Sequence, residues 1–102
     1  MIKVMVSTLI LFGTLMSSAN AETLKGGYPA CVSESLFDQF TSALVKKDKR
    51  GMQYLMKHGC VITKSGIQVS VLDTTWSGKA KVRAYVGDNA VVLWTNIENI
   101  KN

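Results

Sequence analysis

Two cysteines, Cys31 and Cys60, bracket the one strongly helical stretch of this 102-residue chain, and their positions constrain the fold more than any other feature. Between them the apolar residues recur at helical spacing. Leu36, Phe37, Phe40, Ala43 and Leu44 fall on one face of a helix over roughly 33–46, which Ser33 caps and Glu34 and Asp38 favour at its positive end. Asp48 caps a second, shorter helix whose buried stripe is Met52, Leu55 and Met56, and Gly59 supplies a left-handed stop. A link this short predicts an antiparallel hairpin. Antiparallel packing brings the start of the first helix to the end of the second, so a Cys31–Cys60 disulfide would close the open end.

That disulfide needs an oxidising compartment, and the N-terminus supplies the route to one. Lys3 gives a positive start, Val4–Met16 is predominantly apolar, and Ala19-Asn20-Ala21 places small residues before a cut after Ala21. Residues 1–21 therefore read as a secretory signal peptide; the apolar run is too short for the roughly 20 residues that span a bilayer. The expected location is periplasmic or secreted, with no transmembrane segment once the signal is removed.

Removing residues 1–21 leaves one domain over 22–102. It also takes away one lysine and no acid, so 11 basic residues face 7 acidic ones, a net charge of +4. A mildly basic exported chain favours anionic partners, such as acidic proteins or peripheral contact with an anionic surface, and is not expected to meet nucleic acid.

From residue 61 onward the period changes from helical to alternating. Ile67, Val69 and Val71 alternate with polar residues, and Asp73–Gly78 reads as a turn. Ala80, Val82, Ala84 and Val86 alternate with Lys79, Lys81, Arg83 and Tyr85. Gly87-Asp88-Asn89 is a tight turn into the apolar run Ala90–Thr95, which reads as a central or doubly covered strand. Val61–Lys64 and Ile97–Ile100 are short candidates. Glu22–Pro29, with Gly26, Gly27 and the only proline, reads as an extended, mobile leader. The fold class is α+β: a disulfide-stapled helical hairpin over 30–60, then a small antiparallel sheet or barrel over 61–102.

The second half resembles bacterial SH3-like domains. The resemblance rests on Gly66–Leu72, Trp76, Ala80-Lys81-Val82-Arg83, Gly87-Asp88 and Leu93-Trp94-Thr95, spread over a span of about 30 residues. Leu93 stands where that family often has Gly, and the bridged helices replace its usual first strand. The resemblance implies an SH3-like barrel that binds peptides or cell-wall fragments through aromatic grooves.

The residues themselves offer little chemistry. His58 lies near Cys60, but two residues along a helix end do not face each other, so no Cys–His nucleophile is expected, and Cys31, Cys60 and His58 without a further Cys make a poor metal set. Asp73, Asp88 and Glu98 are scattered in turns, and no phosphate loop is present. The expectation is a nonenzymatic chain with no cofactor and no metal. The candidate ligand-binding residues are Trp76, Lys79, Lys81, Arg83 and Tyr85, three cations and a tyrosine on one strand face with a tryptophan in the adjoining turn. One tryptophan is expected to anchor the core, and Trp76, beside the Ser77-Gly78 turn, to be partly exposed; Trp76 and Tyr85 would form a ligand platform if they share a groove. The alternative for the strand is a solvated face whose lysines discourage edge pairing.

The resulting functional expectation is a noncatalytic exported binding module for a protein or cell-envelope component. The other readings are a small inhibitor or immunity protein that blocks an exported enzyme with a protruding loop (73–78 or 87–89), and a structural subunit of an envelope assembly.

Overall fold

In a computed structural model the structure describes residues 22–102; the expected signal peptide, 1–21, lies outside the described residues. Seven strands form one antiparallel sheet. They are β1 (Glu22–Leu24), β2 (Pro29–Cys31), β3 (Cys60–Ile62), β4 (Gln68–Thr74), β5 (Lys79–Val86), β6 (Asn89–Asn96) and β7 (Ile100–Lys101). Their order in the sheet is β3-β2-β6-β5-β4-β1-β7. Two helices, α1 (Glu34–Val45) and α2 (Lys49–Met56), stand between β2 and β3.

The helices are built as their sequence dictates. Ser33 Oγ accepts the Leu36 N–H at 3.1 Å, and Asp48 Oδ1 accepts the Gly51 N–H at 3.0 Å, so both expected caps are in place. Gly59 has φ +121°, and a Cβ there would stand 2.8 Å from the Val32 side chain, so only glycine fits this close approach. Phe37, Phe40 and Leu55 pack with Cys31, Cys60 and Trp94 into one core on the outer face of the sheet. Cys31 and Cys60 form the expected disulfide.

The inner face carries a second core. Leu24, Val69, Ala80, Val82 and Ala84 are buried together, with Leu93 and Ile100 against them, as the alternation in β5 predicts. Val86 breaks the series: it is 54% exposed, because the hairpin tip runs past the elements that cover the rest of the face.

Three expectations are corrected. The segment 22–29 is not a loose leader. Its first residues form β1, paired with both β4 and β7, and Leu24 is buried with its N–H on the Ile67 carbonyl at 2.9 Å. Because β1 and β2 also belong to the sheet, the helical hairpin is an insertion within it and not a piece that precedes it. Strands of three residues carry no readable alternation, and Gly26 and Gly27 between them mask the pattern. Met56 is half-exposed instead of core, since Leu55 already fills the space above the disulfide. Finally, β6 is interior in the strand order but is not doubly covered: Ala90, Val91 and Val92 are exposed because three-residue β2 reaches only Trp94 and Thr95.

The sheet rolls until its two ends meet at Asn99. This fully buried side chain donates to Thr63 Oγ1 at 3.0 Å and to Thr95 Oγ1 at 3.1 Å, while its Oδ1 accepts the Gly26 N–H at 3.0 Å. Thr63 directly follows β3 and Asn99 directly precedes β7, so one amide ties the first strand in the order to the last. Thr63 and Thr95 in turn donate to the carbonyls of Tyr28 and Pro29. Every buried side-chain polar atom among the described residues has a partner, as a low-dielectric interior requires.

Candidate functional site

The β4–β5 hairpin is closed by a turn that hydrogen bonds hold from several sides. Thr75 N–H donates to the Lys79 carbonyl at 2.9 Å, Gly78 N–H to the Thr75 carbonyl at 3.2 Å, and Lys79 N–H to Thr75 Oγ1 at 3.1 Å. The Thr75 and Ser77 hydroxyls pair at 3.0 Å, and the Gly78 carbonyl accepts the Ile97 N–H at 2.8 Å. Trp76 sits at the crest of this frame with a relative exposure of 106%, as open as the residue can be. The other tryptophan, Trp94, packs against the disulfide core. The two tryptophans thus divide into one core residue and one presented residue, as the turn beside Trp76 suggested.

The polar face of β5 also splits by environment. Lys79 Nζ lies 2.7 Å from Glu34 Oε2 and 2.9 Å from Asp38 Oδ1, which fastens α1 to the start of β5. These two carboxylates, Glu34 first, hold the Lys79 ammonium above its ordinary pKa. Its charge is engaged within the fold. Lys81 is half-buried beside Trp94, its cross-strand neighbour, and Arg83 is exposed. Among the described residues, Lys79 is the only cation in an ion pair.

Tyr85 is exposed, and its hydroxyl meets Ser70 Oγ at 2.9 Å on the neighbouring strand. The Ser70 hydroxyl, and after it Arg83, stabilise the phenolate and lower the Tyr85 pKa. Tyr85 lies six residues beyond Lys79, about 20 Å along the strand at ~3.3 Å per residue, whereas Trp76 precedes Lys79 in the turn. The shared Trp76–Tyr85 groove is therefore not formed. The five candidates fall into a projecting tryptophan at one end of β5, an engaged lysine beside it, and an Arg83–Tyr85–Ser70 cluster toward the other end.

His58 stacks on Tyr54 with ring centroids 4.1 Å apart, and its Nδ1–H donates to the Tyr54 carbonyl at 2.7 Å. Among the described residues no three His, Cys, Asp or Glu side chains assemble into a possible metal set, and none of the helices is long and apolar enough to cross a membrane.

A feature that the sequence reading missed is an apolar cleft of about 570 Å³ at the open end of the rolled sheet, lined in part by Val32, Met56, Val61, Val86 and Val91. Its lining comes from six separate segments, at Leu24, Val32, 56–64, Ile67, 84–86 and 91–93. The only sequence signal was the apolar end of the β5 alternation at Val86, followed by the apolar run after Gly87.

Set beside known proteins, the chain matches no family model, no curated protein and no solved structure.

Proposed function

We propose that the chain is a noncatalytic exported module that binds a protein or cell-envelope component, with Trp76 as its anchor. The observation that carries this reading is a wholly exposed tryptophan on a turn held by a dense set of hydrogen bonds. Ordering of a flexible loop, one of the usual costs of association, is largely already met in such a turn. Tryptophan is also the residue most enriched among those that dominate binding energy, since one ring fills a partner's pocket. Arg83, Tyr85 and the half-buried Lys81 supply a polar, cationic flank suited to an acidic ligand; Lys79 positions the turn against α1 instead of contacting the ligand. Export is supported by the signal-like residues 1–21 together with the Cys31–Cys60 disulfide. An SH3-like reading of the barrel accords with the rolled antiparallel sheet and with a role in binding.

One observation favours a second reading, a small inhibitor of an exported enzyme: the presented tryptophan stands on a projecting, pre-formed turn, the shape that enters an active-site cleft. Capture from an envelope extract separates the two. An inhibitor recovers one enzyme and abolishes its activity, whereas an envelope-binding module recovers wall or membrane material or a noncatalytic protein. Recovery that persists unchanged in Trp76→Ala and Arg83→Ala contradicts both.

A further inference from the structure

The long strand β6 carries an apolar run, Ala90–Trp94, whose β2-side edge is paired only at its end. Just past β6, Ile97 N–H donates to the Gly78 carbonyl, so odd-numbered residues of this strand bond toward β5 and even-numbered ones toward β2. Trp94 meets Cys31 on the β2 side, and there the β2 ladder stops. Val32 N–H donates to the Gly59 carbonyl, so the chain continues with β3 and leaves β6. The N–H and C=O groups of Ala90 and Val92 therefore point to a side where no strand among the described residues lies. Asn89–Leu93 contains no charge and no proline, the usual devices that blunt a strand edge.

We infer that this edge pairs with a second copy of the chain, β6 against β6, antiparallel about a two-fold axis at Val91. The register is self-complementary. Ala90 of each copy exchanges both backbone hydrogen bonds with Val92 of the other, and the two Val91 residues meet across the axis in the closely spaced, non-hydrogen-bonded position. An isologous contact of this kind needs no foreign sequence.

Charge and packing agree with it. On the outer face Arg83 is the cross-strand neighbour of Val92, and Tyr85 that of Ala90. Across the new ladder each arginine's row thus runs through Val92 and the other copy's Ala90 to that copy's Tyr85, and no two cations face each other directly. On the inner face Val91 lines the 570 Å³ cleft, whose only charged lining residue is Lys64. Val32, Met56, Val61, Val86 and Val91 around it are between 39% and 54% exposed. Pairing brings two such clefts together at the axis. With Val92, these side chains have at most on the order of 450 Å² per copy left to bury, against roughly 800 Å² per partner in a standard interface, so the association is weak, reversible and concentration-dependent. The Trp76 turns lie at the opposite end of the β4–β5 hairpin and stay free.

Sedimentation of the protein purified from its host, over a wide concentration range, tests the inference. The expected result is a monomer–dimer equilibrium that Val91→Lys, which places two ammonium groups at the axis, and Ala90→Pro, which removes an edge N–H, shift to monomer. Far-UV spectra and melting curves confirm that each variant is folded. Val91→Cys keeps the fold under test even if the other two do not: under oxidising conditions it should crosslink two copies through position 91, whereas Ser77→Cys in the distant turn should not. A wild-type chain that remains monomeric at every concentration overturns the inference, including the case in which the edge instead takes a foreign strand or an acyl chain. A dimer that none of the substitutions alters, and that Val91→Cys fails to crosslink, overturns it equally.

Discussion

Cys31 and Cys60 stand directly opposite each other in the β2–β3 ladder, with Cα atoms 4.0 Å apart, so the disulfide joins two paired strands at the base of the helical insertion. A crosslink over a sequence separation of 29 residues mainly restricts the unfolded chain. Replacing both cysteines with alanine is expected to cost about 3–4 kcal/mol, read from urea unfolding. Because both residues are buried, the bond in the folded protein should resist a mild reductant until the chain unfolds, which thiol labelling with and without denaturant would report.

Asn99 holds the rolled sheet closed, and its side chain serves three partners in a site without water access. Asn99→Ala leaves the Gly26 N–H and two threonine hydroxyls short of partners, with an expected cost of about 2–4 kcal/mol. Asn99→Asp should be no better, since it exchanges the donating amide for a buried charge. Unfolding midpoints of the two variants provide the check; a midpoint equal to that of the wild type in either would remove Asn99 from its closing role.

The tie between Lys79 and the two carboxylates of α1 has a defined pH signature. The folded-state pKa of Lys79 lies above its ordinary 10.5, so its contribution is fully present below that value and is lost as pH rises through the folded pKa. Wild-type melting temperature should therefore fall more steeply above about pH 10.5 than that of Lys79→Met. Near neutral pH the gap between the two proteins should narrow in high salt, because the pairs are partly open to water.

Tyr85 gives an independent reading of the outer face. Ser70→Ala removes the first cause of its lowered phenol pKa, so the pKa should move up toward the ordinary 10.0. Ultraviolet titration of phenolate formation, with Tyr85→Phe to isolate this residue from the other tyrosines, measures the shift. A Ser70→Ala curve that superposes on the wild type would mean the 2.9 Å contact does not act on the phenol.

What the sequence revealed, and what it hid, follows from element length. Both helices were legible, down to their Ser33 and Asp48 caps, because twelve and eight residues display several helical turns of periodicity. The inward row Ala80, Val82 and Ala84 was equally plain in an eight-residue strand. Strands β1 and β2, three residues each, were not, and with them went the placement of the helices inside the sheet. Asn99 carried no signal either, since its three partners are 4 to 73 residues away in sequence. Within the candidate site, the exposure of Trp76 beside its Ser-Gly turn was readable. The capture of Lys79 by Glu34 and Asp38 was not, because it depends on how α1 lies across the sheet.

Anchoring of a partner by Trp76 is read from a calorimetric titration of the captured partner with wild type and Trp76→Ala. A side chain that packs against nothing in its own fold should leave the melting temperature unchanged when removed. If it is the anchor, affinity should fall by about 30-fold or more, the loss of roughly 2 kcal/mol that marks a dominant contact. Equal affinity of the two proteins for that partner would show that Trp76 is not the anchor.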